Sequence, residues 1–170
     1  MLGDLVATDD GRFAVRFERV LDHPPQKVWR ALTEPGHLAA WFPVLVEFHA
    51  VAGAALRFEL KPEAKRRFDI AEDEDTASYG EVIAADPPRL LEYTWGNEIL
   101  RWELQPHGDT ACRLVFTNVF DERDTGAPAA AGWHVALDLL TAALDGREVP
   151  WSPWDRADEL TAQYAATPYR

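Results

Sequence analysis

Phe13, Val15 and Phe17 alternate with Ala14, Arg16 and Glu18, the period-two signature of a strand with one dry face. A first strand is predicted over residues 12–21. The period then changes. Pro24 and Pro25 suit the first turn of a helix, where a missing amide hydrogen is not needed, and Asp22 is the expected cap. Val28, Trp29 and Leu32 share one helical face. Glu34 and Pro35 break this helix and start a second one, in which Leu38 and Trp41 or Phe42 turn inward before Pro43 ends it.

The middle of the chain reads as an antiparallel meander. Val44, Val46 and Phe48 alternate with Leu45, Glu47 and His49, and Leu56, Phe58 and Leu60 alternate with Arg57 and Glu59, with Ala52 and Gly53 at the turn. Residues 61–76 pair a basic cluster, Lys65 to Arg67, with an acidic one, Glu72 to Asp75, and lack either periodicity. They predict an exposed loop. Strands resume at Tyr79–Ala85, Leu90–Trp95, Leu100–Gln105 and Ala111–Phe120, separated by turn-forming residues at Asp86–Pro88, Gly96–Asn97 and Gly108–Asp109. The total is seven strands.

After the last strand, Trp133, Ala136, Leu137, Leu140 and Leu144 recur at helical spacing between Pro128 and Gly146. Gly146 is a natural stop. His134, Asp138 and Thr141 fall opposite this stripe, which predicts a one-sided helix lying on the dry face of the meander. Leu160 and Tyr164 predict a last short helix docked beside the long one, after a stiff connector containing Trp151, Pro153 and Trp154.

In order along the chain stand Pro24-Pro25-x-x-Val28-Trp29-x-Ala31-Leu32-Thr33, Trp41-Phe42, Gly80-x-Val82, Pro87-Pro88-x-x-Leu91 and Gly132-Trp133. This succession resembles the START-like helix-grip superfamily (SRPBCC), in the branch similar to the C-terminal domain of the Hsp90 ATPase activator. The resemblance runs from about residue 12 to residue 165. It implies an α+β helix-grip fold: a curved seven-stranded antiparallel sheet around a long C-terminal helix, with two short helices between the first and second strands. It also implies a tunnel between sheet and helix, in which many relatives bind lipids, steroids, polyketides or other apolar molecules. The activator also has a separate N-terminal domain, for which no counterpart is expected here.

With 170 residues, 47% of them hydrophobic, the chain is expected to form a single domain over 1–170, its core at about 12–146 and a C-terminal docking segment at 147–170. A formal charge of −12 would repel a phosphate backbone or an anionic membrane surface, so nucleic acid is not an expected partner. Cys112 is the only cysteine, Asp4, Asp9 and Asp10 occupy the place of a signal peptide's apolar core, and no uncharged run approaches a membrane span. A cytoplasmic location is expected.

Strand parity turns Phe48, Phe58, Tyr93, Trp95, Trp102 and Phe116 toward the helix stripe of Trp133, Leu137 and Leu140, with Trp41 beside them. Each aromatic alone suits a filled core. As a set they are candidate lining for a cavity. Tyr93 and Asn118 are the candidate polar groups on that face, able to orient a ligand or to bond backbone or trapped water. Chemistry is sparsely signalled. His23, His37, His49, His107 and His134 lack metal-site spacing and read as surface residues, Cys112 reads as a small buried hydrophobe, and Glu92, Arg101, Glu103 and Arg113 fall on the wet face. No catalytic residue, metal or cofactor is assigned. Three readings follow: a non-catalytic carrier or sensor of a hydrophobic small molecule, an enzyme of the cyclase or hydrolase helix-grip type, or a protein interaction module, with a possible homodimer through Trp151–Trp154.

Overall fold

Backbone pairing follows the alternation along the chain from end to end of the computed structural model, which describes residues 1–170. The strands are β1 (Asp4–Ala7), β2 (Phe13–Leu21), β3 (Leu45–Glu47), β4 (Ala55–Glu59), β5 (Ser78–Asp86), β6 (Leu90–Trp95), β7 (Glu98–His107) and β8 (Ala111–Phe120). The helices are α1 (Pro25–Thr33), α2 (Pro35–Trp41), α3 (Pro62–Arg67), α4 (Gly126–Leu144) and α5 (Pro153–Ala165). All strands pair antiparallel, in the order β1-β2-β8-β7-β6-β5-β4-β3. β2 closes on β8 over a long register, from Phe13↔Phe120 to Leu21↔Cys112.

The sheet has eight strands, one more than the alternation predicts. The added strand, β1, is four residues long and buries Leu5 alone, too little to show a period. It is held by non-local bonds. It pairs with β2, and on its other edge the Arg170 amide donates to the Leu5 carbonyl at 2.9 Å while the Ala7 amide donates to the Arg170 carbonyl at 3.0 Å. The chain's own C-terminus thus covers this edge of the sheet.

Two local expectations also change. Residues 61–76 contain α3, a short helix with Pro62 in its first turn and Ala64 as its one buried residue, so no helical period was available to read. Asp22 does not cap α1. Pro24 holds the cap position in an extended conformation without a side-chain bond, and Pro25 opens the helix.

α4 is where the core sits, and it is not one-sided. Trp133, Leu137 and Leu140 face the sheet, while the opposite side is covered by α5, whose Leu160 and Tyr164 are buried. His134, expected at the surface, is 5% exposed. This double burial accounts for a helix apolar enough, by length and composition, to match a membrane span at Arg123–Leu144. On the outer face of the sheet, Arg101 bridges Glu92 at 2.9 Å and Glu103 at 3.4 Å, and Arg113 bridges Glu18 at 2.6 Å, the wet-face ladder that parity predicts. Cys112 is fully buried beside Leu114 and Phe116, and burial pushes its thiol pKa up.

Candidate functional site

Much of the space beneath α4 is filled by its own aromatic side chains. Phe116 lies 4.0 Å from Trp102 and 4.7 Å from Trp133, centroid to centroid, and Trp41 meets Trp102 edge-on at 5.5 Å. Phe58 stacks flat on Trp95 at 4.3 Å. Of the predicted cavity residues, Trp41, Phe58, Tyr93, Trp102, Phe116, Leu137 and Leu140 are buried in the continuous hydrophobic core. Phe48 is partly buried, 5.7 Å from the Tyr93 ring, and lines a groove by the β3 edge. Trp95, Asn118 and Trp133 come together at the mouth of a cleft between the sheet and the N-terminal half of α4, with a volume of about 310 Å³.

Strand register builds this cleft. Trp95 and Glu98 are direct partners across the tight β6–β7 turn, where Gly96 takes φ +58, and directly paired residues share a face. Leu100, next on that face, pairs with Asn118 of β8. Pro43, Thr125, Pro128, Ala129 and Gly132 complete the rim. Gly132 is an exposed position on α4 where an added Cβ would meet no atom within 4 Å, so the cleft reaches the helix backbone there.

Asn118 is 1% exposed and fully engaged. Its Oδ1 accepts the Trp133 indole N–H at 3.1 Å, and its Nδ2 donates to Glu98 Oε1 at 3.3 Å and to the Ile99 carbonyl at 3.4 Å. An indole nitrogen only donates, which sets the orientation of the amide. Glu98 is half-buried, and burial raises its carboxyl pKa. The Asn118 hydrogen bond and the charge of Arg12 oppose that rise, and Asp121 adds to it. Arg12 is itself occupied, donating to Asp121 at 2.7 Å and to the Asn97 carbonyl at 2.6 Å.

Glu98 was absent from the predicted set, although the signal was present. Extending the β7 alternation back from Trp102 and Leu100 puts Glu98 on the dry face, an acidic residue in an inward position. Tyr93, by contrast, points away from the cleft. Its hydroxyl accepts the Trp102 indole N–H at 3.2 Å, and full burial drives its pKa upward.

Residues 22–145 match the family described as activator of Hsp90 ATPase homolog 1-like protein. The chain belongs to this family. No curated protein matches the sequence. Among solved structures it is similar to EF2215 of Enterococcus faecalis, a conserved protein of unknown function, with 19% identity, a TM-score of 0.74, and coverage of 98% of this chain and 92% of that one. It is also similar to CalU16 of Micromonospora echinospora, with 20% identity, a TM-score of 0.70, and coverage of 96% and 94%. A third likeness is the BPP1335 protein of Bordetella parapertussis, with 24% identity, a TM-score of 0.72, and coverage of 92% and 87%. At these identities the likeness extends to the fold.

In this activator-like domain a second polar cluster lies on the far side of α4. The Gly3 amide donates to the Tyr164 hydroxyl at 2.7 Å, and that hydroxyl lies 2.9 Å from His134 Nδ1. The other ring nitrogen, Nε2, lies 3.7 Å from Asp138. His23 is also anchored, 2.7 Å from Asp145 and 3.0 Å from Lys27, whose ammonium also caps the Leu144 carbonyl. No three His, Cys, Asp or Glu side chains gather as a metal site would need. Trp154 is partly covered, with the Arg67 guanidinium 4.7 Å above its ring and Phe68 edge-on at 5.6 Å.

Proposed function

We propose that this chain binds a hydrophobic small molecule in the cleft between its sheet and long helix, as a carrier or sensor without chemistry of its own. The observation behind this reading is the cleft's make-up: two indoles, Leu100 and Pro43 around the side chains of Glu98 and Asn118. An apolar wall with few polar groups is the usual form of a small-molecule site. The filled core limits the guest. A cleft of about 310 Å³ suits a small-molecule guest rather than an extended lipid. Family membership supports the architecture of such a site.

Gly132 offers a test, because it lines the cleft and a Cβ added there would meet no atom within 4 Å. A panel of small aromatic and alicyclic compounds would be screened by ligand-observed NMR against the wild type and Gly132→Leu. Binders to the wild type that shift the Trp95 and Trp133 indole N–H resonances, and that Gly132→Leu no longer retains, are the expected result. If no compound binds, or binding persists unchanged in Gly132→Leu, the proposal is wrong.

A further inference from the structure

Glu98 is a carboxylate without a salt bridge in a half-buried place. Asn118 bonds its Oε1, no protein group bonds its Oε2, and it takes part in no salt bridge. Carboxylates on the outer face of the sheet are treated differently: Glu92 has Arg101, and Glu18 has Arg113. The nearest cation, Arg12, is turned to Asp121 and the Asn97 carbonyl. Leaving a charge partly desolvated and unpaired is costly, and such a group in a cleft is a candidate for ligand contact.

The chemistry of the cleft restricts what could supply the missing partner. Asn118 has no hydrogen bond left to give, since its oxygen takes Trp133 and its nitrogen serves Glu98 and Ile99. Besides the Thr125 hydroxyl on the rim, the polar atom open to a ligand is Glu98 Oε2, the charged one, which only accepts while the carboxyl is ionised. An anionic ligand would meet repulsion there. Two of the flanking residues are tryptophans, the best aromatic partners for a cation. The overall charge of −12 draws cations toward the surface.

Resting on the reading above, we infer that the ligand of this cleft is a small organic amine, its protonated nitrogen on Glu98 Oε2 and its apolar body against the Trp95 and Trp133 side chains at the cleft wall. The unfilled oxygen calls for an N–H donor. That requirement separates a primary or secondary amine from a quaternary ammonium headgroup, which offers charge without a proton.

The test uses phenethylamine, phenethyl alcohol and the N-trimethylated amine as matched probes, titrated by calorimetry into the full chain and into Glu98→Gln and Gly132→Leu. Gln keeps an acceptor for Asn118 and removes the charge, and its fold is checked by circular dichroism. The amine should bind about tenfold more tightly than the alcohol, as befits a charge-assisted bond in a partly dry site, and more tightly than its trimethylated form. The preference for amine over alcohol should vanish in Glu98→Gln. Equal or tighter binding of the alcohol, a preference that survives Glu98→Gln, or tighter binding of the trimethylated probe would overturn the amine assignment and leave the cleft reading standing. No binding by any of the probes, or binding that Gly132→Leu does not reduce, would overturn both.

Discussion

The indole nitrogen of Trp133 donates a 3.1 Å hydrogen bond to the side-chain oxygen of Asn118, tying α4 to β8 where the cleft opens. Both groups are buried, and the ring also packs against Phe42, Trp102 and Phe116. Trp133→Ala should cost about 3–5 kcal/mol in urea unfolding, since a large side chain leaves a cavity that its neighbours fill incompletely. Asn118→Ala should cost about 1–3 kcal/mol by leaving the indole N–H unpaired. Combined with Trp133→Phe, which removes that donor, the Asn118 change should cost less than the two single effects added together. Strict additivity would show that the bond contributes nothing.

Tyr93→Phe should lower stability by about 1–3 kcal/mol, because the buried Trp102 N–H would lose its acceptor. Ligand affinity at the cleft should not change. Parity alone allowed this hydroxyl to serve a ligand, and its partner turns out to be the neighbouring strand. Unaltered stability together with weakened ligand binding would reverse the assignment.

Burial brings the His134 pKa down from its ordinary 6.5 to about 4. Asp138 opposes this shift, while Arg19, the N-terminal amine and Arg156 reinforce it. The folded chain therefore keeps the ring neutral at pH values where the unfolded chain takes up a proton. Stability should be fully retained above pH 6.5 and fall as the pH drops toward 4, by on the order of 1–3 kcal/mol from this residue. Urea midpoints across that window should decline less steeply in His134→Gln than in the wild type. Parallel curves would rule out His134 as a source of the acid sensitivity.

Gly80→Ala should fail to fold or lose more than about 4 kcal/mol. A Cβ at this position would lie 1.7 Å from the Thr94 carbonyl oxygen and 3.3 Å from the Phe58 ring. The first clash is with backbone, which has no rotamer to escape into. A soluble Gly80→Ala protein with wild-type thermal stability would mean that β5 and β6 do not approach each other this closely.

What the sequence determined by itself was whatever repeats over a few residues. Alternation in β2, β6 and β8 and the helical stripe of α4 state which side of each element is dry, because burial of one face imposes a period of two or 3.6 on the residues that make it. Ordered motifs such as Gly80-x-Val82 and Gly132-Trp133 then pointed to an antiparallel sheet with a long C-terminal helix, which is observed with one strand more than expected. Glu98 was legible on the same grounds, had the β7 period been followed back into the turn.

Only the tertiary structure decided what depends on a partner far along the chain. β1 exists because β2 and Arg170 supply its hydrogen bonds, and His134 is buried because α5 folds over a face that looked polar. The size of the cleft was settled in the same way. Parity turns the aromatics inward, but whether they surround a space or fill it depends on side chains from separate elements interlocking in three dimensions, as Trp102, Phe116 and Trp133 do. Packing at that density is a property of the assembled core, and no single segment carries it.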